Sequence, residues 1–312
     1  MKNIAFLFPG QGSQKSGMGK DVYREFEAAK HVFQTADSVT GLPVTRLCFE
    51  GRAEELALTI NLQPAITTLN LALLACILLA GIRPAICAGH SLGEYSALAA
   101  ADVLSTEDCI KLVHKRGELM NREALRNKGT MQAVTGLDID RVSDIVKTAA
   151  RYGPVSIANH NSADQIVISG APEQVELAGR LAISRGGHVF PLKVSGAWHS
   201  PLINNAQEEF QAFLSTIAFK KPKRKVLHNV TASEEKDPLL IKALMSRQFC
   251  SRVRWFEIMM KLIDHQVNVY VEIGPGRVLT GLLKKTLPKH TRSRVYNVFS
   301  VKTFNAFIEA EA

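Results

Sequence analysis

The chain has 312 residues, 46% of them apolar, which permits one large core and argues against disorder. Its formal charge is +9, and its five cysteines are scattered with no C-x-x-C pair, which argues for reduced thiols and against structural zinc. Neither H-E-x-x-H nor G-x-x-x-x-G-K-[ST] occurs. The longest apolar run, Leu71 to Ile82, is too short for a bilayer, and the apolar run after residues 1–4 is too short for a signal-peptide core. A cytoplasmic protein without membrane, nucleic-acid or metal partners is therefore expected.

In chain order, Lys2 to Phe8 reads as a strand, followed by Pro9-Gly10-Gln11-Gly12-Ser13-Gln14. The third glycine of a dinucleotide fingerprint would fall at Lys15, so that reading fails. A tight loop at the carboxyl end of a strand remains, where open α/β sheets bind ligands. Gly19 to Ala36 predicts one amphipathic helix, Glu54 to Leu58 a short helix, and Gln63 to Leu79 an apolar helix closed by Gly81. Pro84 to Ala88 reads as a buried strand and Glu94 to Ala101 as a helix.

Between them lies Gly89-His90-Ser91-Leu92-Gly93, a G-x-S-x-G pattern in strand–turn–helix context. The turn is sharp enough to strain its central residue, so glycines flank it. The hydroxyl of Ser91 is thrown clear at a helix N-terminus, where free amides favour negative charge: a nucleophile in need of a base. The helix after Ser105 or Thr106 carries Arg116.

From Gly129, short strands at Met131–Val134, Val155–Ala158, Gln165–Ser169 and Gly187–Phe190 alternate with helices at Asp140–Arg151 and Pro172–Arg185. That β-α-β-β-α-β order is ferredoxin-like and marks residues 127–193 as a small domain inserted in a larger one of residues 1–126 and 194–312. Beyond it come a helix from Ile203 to Ile217, a strand at Val226–Val230, a helix ending near Gln248, another from Trp255 to His265, and a strand at Val267–Ile273. The basic run Lys220-Lys221-Pro222-Lys223-Arg224-Lys225 reads as a solvated loop or a dock for an acidic partner. No aromatic residues interleave with it, which weighs against nucleic acid.

Nine histidines could serve Ser91. His90 is adjacent and should face away. His199, in a loop opening a helix at the domain boundary, is the more attractive, although spacing alone leaves the choice open.

The segments 8–14, 89–95, 115–117, 157–162, 165–170, 197–201, Gln248, 253–255 and 272–276 resemble, in order, those of the malonyl-CoA:acyl-carrier-protein transacylase family. The resemblance implies an α/β fold, a large α/β-hydrolase-like domain with a mostly parallel sheet plus an inserted ferredoxin-like domain. It implies malonyl transfer from malonyl-CoA to the phosphopantetheine thiol of an acidic acyl carrier protein by ping-pong chemistry, with the coenzyme A thioester as substrate and no cofactor. Ser91 would be acylated and His199 the base, held by the backbone carbonyl of Gln248 in place of an acid. The amides of Gln11 and Leu92 would form the oxyanion hole, and Arg116 would pair with the malonyl carboxylate. Trp198 stands where phenylalanine is common in that family, which should narrow the space beside the malonyl C2 and exclude methylmalonyl groups. Lys220–Lys225 and Lys284-Lys285 are candidate carrier docks. Competing readings are an acyltransferase of polyketide synthesis or malonate decarboxylation, a serine esterase lacking any purpose for Arg116, and a non-catalytic docking domain.

Overall fold

The computed structural model describes residues 2–288 and 290–311; residues 1 and 312, the ends expected for the larger domain, lie outside the described residues. Its strands are β1 (Ile4–Phe8), β2 (Ile86–Gly89), β3 (Thr130–Thr135), β4 (Val155–Ser162), β5 (Gln165–Gly170), β6 (His188–Pro191), β7 (Lys225–Leu227), β8 (Val269–Ile273) and β9 (Arg294–Val298).

Five of these form an α/β sheet in the order β7-β2-β1-β8-β9, every pairing parallel. Parallel sheets are covered on both faces. Phe6, Phe8 and Cys87 join one apolar cluster with the helix Thr59–Leu79, while Ala5, Leu7, Ile86 and Ala88 pack with Trp255, Ile258 and Leu283. Phe8 lies opposite Gly89, and Leu7 opposite Glu272. The loops after β1, β2 and β8 therefore leave one edge of the sheet together, which brings Gln11 and Ser91 to the same place.

The same register separates the basic run from that edge. Lys225 pairs with Ile86 at the start of β2, so residues 220–225 enter at the amino end of the sheet, opposite Ser91. Lys284 and Lys285 occupy the last turn of the helix Val278–Thr286, about 13 Å of helix beyond the carboxyl end of β8.

The other sheet is antiparallel, in the order β4-β5-β3-β6, with the helices Ile139–Ala149 and Pro172–Ser184 on one face. Val134, Ile166 and Ile168 face those helices, whereas Met131, Ala133 and Val167 join the larger core. Its β4 carries two irregularities, between Ile157 and Asn159 and between His160 and Ser162. There Val253 donates to the Ala158 carbonyl at 2.8 Å and accepts from the His160 amide at 2.9 Å, tying β4 to the segment that leads into the helix Trp255–Asp264.

Several elements differ from expectation. The helix expected over Gly19–Ala36 is two, Lys20–Glu25 and Glu27–Thr40, because Phe26 turns extended and lays its ring 4.8 Å from that of Phe304. The helix expected from Gln63 begins at Thr59 with Pro64 inside it. At 21 residues it is long and apolar enough to cross a membrane, unlike the run from Leu71, but Leu62 to Leu74 are buried within the protein. The helix expected over Ile203–Ile217 is a 3₁₀ turn, Pro201–Ala206, and a helix, Gln207–Ser215. The strand expected over Val226–Val230 stops at Leu227, since His228 and Asn229 leave the sheet for buried hydrogen bonds. The strand β9 and the helix Val301–Glu311 have no counterpart in the sequence reading; β9 is an edge strand with an exposed arginine, whose alternation is weak.

Candidate active site

The turn after β2 positions Ser91. Ser91 has φ 50°, a left-handed conformation that a β-carbon resists. The neighbouring glycines make the turn possible. A β-carbon on Gly89 would come within 2.0 Å of Gly93, and one on Gly93 within 2.0 Å of the Phe8 carbonyl. Asn229 holds both sides of the strain: its Oδ1 accepts from the Ser91 amide at 2.7 Å and its Nδ2 donates to the Gly89 carbonyl at 2.7 Å. The helix Gly93–Ala100 starts immediately afterwards.

His199 comes from a second strained turn, φ 58°. Ser200 donates to the Ala197 carbonyl at 2.8 Å and caps the Pro201 turn. The His199 ring meets Ser91 at 2.7 Å, Nε2 to Oγ, and its Nδ1 donates to the Gln248 carbonyl at 3.0 Å. A carbonyl can only accept, so the proton sits on Nδ1 and Nε2 is free to receive one. Burial first, then the nearby Arg116 charge, push the His199 pKa down to about 3, against the pull of the Gln248 carbonyl. The imidazole is neutral at neutral pH.

Arg116 is 1% exposed, on the helix Thr106–Arg126. Its neighbour Gly117 lets this helix approach the helix Thr59–Leu79; a β-carbon there would sit 3.1 Å from the Thr59 carbonyl. That contact brings Gln63 to the guanidinium, its Oε1 accepting from Nη1 at 2.9 Å. Nη2 donates to Ser91 Oγ at 3.1 Å and to Gln248 Oε1 at 3.4 Å. The guanidinium carbon lies 5.8 Å from the centroid of the Tyr95 ring. Burial lowers the Arg116 pKa, with Tyr95 and Glu94 acting against it.

A cavity of about 100 Å³ joins these groups, lined among others by Gln11, Leu92, Met120, Met131 and Trp198. Among the described residues, the amides of Gln11 and Leu92 donate to no protein acceptor. Trp198 is 4% exposed and folds over Gly196, where a β-carbon would meet its ring at 2.7 Å. His90 faces Asn161, 2.8 Å from its Oδ1, with its ring edge-on to Trp255 at 5.5 Å. Larger cavities, about 400 and 670 Å³, contain none of these groups. Among the described residues no cluster of histidine, cysteine and carboxylate groups could hold a metal ion.

The structure thus brings Ser91, His199, Arg116, Gln11, Leu92 and Trp198 to the wall of one cavity, with Gln248 buried behind it and bonded to His199 and Arg116. Sequence reading missed the residues that hold them. Glu94, 1% exposed, accepts from His228 Nδ1 at 2.9 Å, the Asn229 amide at 3.3 Å and Gln248 Nε2 at 2.9 Å. Gln63 and Glu94 each stand as a polar residue in an apolar helix, a signal available in the sequence. Nothing in the local pattern marks Asn229.

The acyl transferase domain family matches residues 5–302. The malonyl CoA-acyl carrier protein transacylase of Bacillus subtilis (strain 168) is 44% identical over 287 residues, 91% of this chain and 90% of that protein. The enzyme of the same name from Staphylococcus aureus (strain MRSA252) is 38% identical over 310 residues, 98% of this chain and 99% of its own. Among solved structures, an acyl carrier protein S-malonyltransferase from Vibrio cholerae superposes with TM-score 0.93 at 37% identity, covering 98% of this chain and 100% of that one. A chain from the complex of a type II PKS acyl-carrier protein with its malonyl-transacylase matches with TM-score 0.94 at 35% identity, covering 99% of this chain and 100% of that one.

Proposed function

The chain belongs to the malonyl-CoA–acyl carrier protein transacylase family of acyl transferases, and we propose that it transfers malonyl groups from coenzyme A to acyl carrier protein through a malonyl-Ser91 intermediate. The observation that carries this reading is the hydrogen-bonded line from the Gln248 carbonyl through His199 to Ser91, with Arg116 on the same hydroxyl.

In the first half, Ser91 Oγ attacks the thioester carbonyl while its proton passes to His199 Nε2. The resulting oxyanion sits at the Gln11 and Leu92 amides, each worth about 3–4 kcal/mol by analogy with other oxyanion donors. As the tetrahedral centre collapses, the carbon–sulfur bond breaks and Nε2 returns its proton to the coenzyme A sulfur. In the second half the carrier's phosphopantetheine thiol gives its proton to Nε2 and attacks the acyl-serine. Ser91 leaves with that proton, and both thioester and enzyme are restored.

The third member of this triad is a neutral carbonyl rather than a carboxylate. It orients the imidazole without stabilising the imidazolium as an acid partner would, in keeping with the depressed His199 pKa. The guanidinium offers a two-point fork for a free carboxylate, which favours malonyl over acetyl groups. An esterase has no use for such a cation beside its nucleophile. A cavity of about 100 Å³ suits a short acyl group. Trp198 on its wall would limit substituents at the malonyl C2.

We read the parallel-sheet unit as α/β-hydrolase-like and residues 127–193 as an inserted ferredoxin-like domain, on the strand order and the β-α-β-β-α-β succession. The protein would act in the cytoplasm. A carrier must approach the edge that bears Ser91, which favours neither basic run named from sequence. Exposed Lys193, between the cavity residues Leu192 and Val194, is better placed for an acidic carrier.

The deciding experiment is intact mass after mixing with malonyl-CoA. One malonyl adduct, transferred on addition of holo acyl carrier protein and absent in Ser91→Ala, is expected. No adduct on the wild-type chain overturns the reading.

A further inference from the structure

Glu94 stands outside the cavity, yet Gln248 and Asn229, which touch His199, Arg116 and Ser91, both donate to it. It is one of the few ionisable groups in the core, and the transfer chemistry gives it no step. From this arrangement we infer that Glu94 is the positioning residue for acyl selection, acting through the Gln248 side chain on Arg116 and through Gln248 and Asn229 on the Ser91–His199 pair. The inference rests on the reading of Arg116 as the partner of the malonyl carboxylate.

An ionised carboxylate only accepts, and so does a backbone carbonyl. Gln248 faces both: Glu94 Oε2 at 2.9 Å and the Ser91 carbonyl at 2.8 Å. Its NH₂ must therefore point at them, and its Oε1 is left for Arg116 Nη2 at 3.4 Å. Turned over, the amide would set its oxygen against two acceptors and its NH₂ against a guanidinium. Both contacts repel in a buried site. Glu94, together with the Ser91 carbonyl, thereby decides which end of Gln248 meets Arg116.

The same residue reaches the base and the nucleophile. Gln248 is the last residue of the helix Pro238–Gln248, and its carbonyl holds His199 Nδ1. Pinning its side chain pins that carbonyl. Glu94 Oε1 accepts from the amide of Asn229, whose own side chain braces both sides of the strained serine turn. His228 Nδ1, at 2.9 Å, keeps Oε1 in place.

There is also a charge to balance. Among the described residues no carboxylate contacts Arg116 directly, and Glu94 lies one amide away from it. If Glu94 served only as counter-charge, removing its charge would make the cavity more positive and bind malonyl groups better. If it positions Arg116, the same change loosens the fork and harms malonyl transfer more than acetyl transfer. The two roles predict opposite signs.

The test measures rates of acyl-serine formation from malonyl-CoA and from acetyl-CoA in wild type, Glu94→Gln, Glu94→Asp, Gln248→Met and the Glu94→Gln/Gln248→Met double variant, with thermal melts alongside. Glu94→Gln should slow malonyl transfer about 100-fold, the scale of a misplaced catalytic group, and acetyl transfer by visibly less, so the malonyl-to-acetyl ratio narrows. Glu94→Asp, which keeps the carboxylate, should recover part of that ratio. Gln248→Met keeps the backbone carbonyl, loses the link, and should narrow the ratio even where Glu94→Gln does not fold. Because one residue acts through the other, the double variant should select acyl groups no worse than the poorer single one. A lowered melting temperature with an unchanged ratio, a ratio that rises, or losses in the ratio that multiply in the double variant would each overturn the inference. Wild-type protein that takes up malonyl groups while Glu94→Gln keeps the ratio defeats this inference alone; wild-type protein that takes up none defeats the functional reading beneath it.

Discussion

Two concentrations of positive charge sit at opposite ends of the same parallel sheet. At the amino end, residues 220–225 hold five cations, exposed and partly neutralised: Lys223 lies 3.5 Å from Asp102 and Lys225 3.0 Å from Glu234. At the carboxyl end a single guanidinium, Arg116, is buried against Gln63, Gln248 and Ser91. The exposed group dominates any reading of net charge, yet water and salt screen it, and pairs of that kind contribute about 0–1 kcal/mol. The buried one is invisible in the total but acts where the dielectric is low and its donors are fixed. What matters for a charge is where the fold leaves it.

The largest effect expected concerns the group that Arg116 sits beside. His199→Ala should cut acyl transfer by about 10⁶-fold, as loss of the base does in a serine triad, with a single cooperative melt to exclude misfolding. Next, Arg116→Ala should cost about 100-fold in kcat/KM for malonyl-CoA and little for acetyl-CoA, as truncating one partner of a buried charge pair does. Arg116→Lys should recover only part of it, because an ammonium cannot form the fork. Equal losses on both substrates would take Arg116 out of selection and leave its burial without a functional consequence for the acyl group.

A third measurement uses pH. Because the folded His199 pKa is held near 3, below its usual value of about 6.5, the unfolded chain binds more protons between those limits. Stability from this residue is therefore complete above about pH 6.5 and is lost as the pH falls towards 3. Activity that depends on a neutral imidazole should stay level from pH 8 to 5 in a profile of kcat/KM for malonyl-CoA. An acid limb centred near pH 6.5 would mean that burial does not govern this ring. Smaller still, Trp198→Phe should raise kcat/KM for methylmalonyl-CoA about tenfold at constant malonyl-CoA activity, towards the low end of the 1–3 kcal/mol that extra volume in an apolar pocket commands. Smallest of all, Lys220→Glu with Lys221→Glu should move stability by no more than about 0.5 kcal/mol and leave KM for the carrier unchanged. A large rise in KM would restore the basic run as a dock.

How much of this was readable before the fold is clear from particular residues. The elbow was readable because its causes are local: Gly89 and Gly93 stand two positions from Ser91, and the strand and helix around it announce themselves by composition. The short strands and helices between residues 130 and 191 were readable for the same reason, alternation and capping being short-range. The break at Phe26 and the early end of β7 were not, because a distant ring, Phe304, and a distant carboxylate, Glu94, decide them.

By itself the sequence determined an α/β chain with a serine at a strained turn, since glycine spacing, apolar runs and helix starts act over a few residues. Only the tertiary structure decided which histidine meets that serine, how deep Arg116 lies, and that Glu94, His228, Asn229 and Gln248 form one buried network. Those choices join residues more than a hundred positions apart, for example the 154 between Glu94 and Gln248. Burial and hydrogen-bond direction are properties of a packed interior, and they do not exist until the chain has closed on itself.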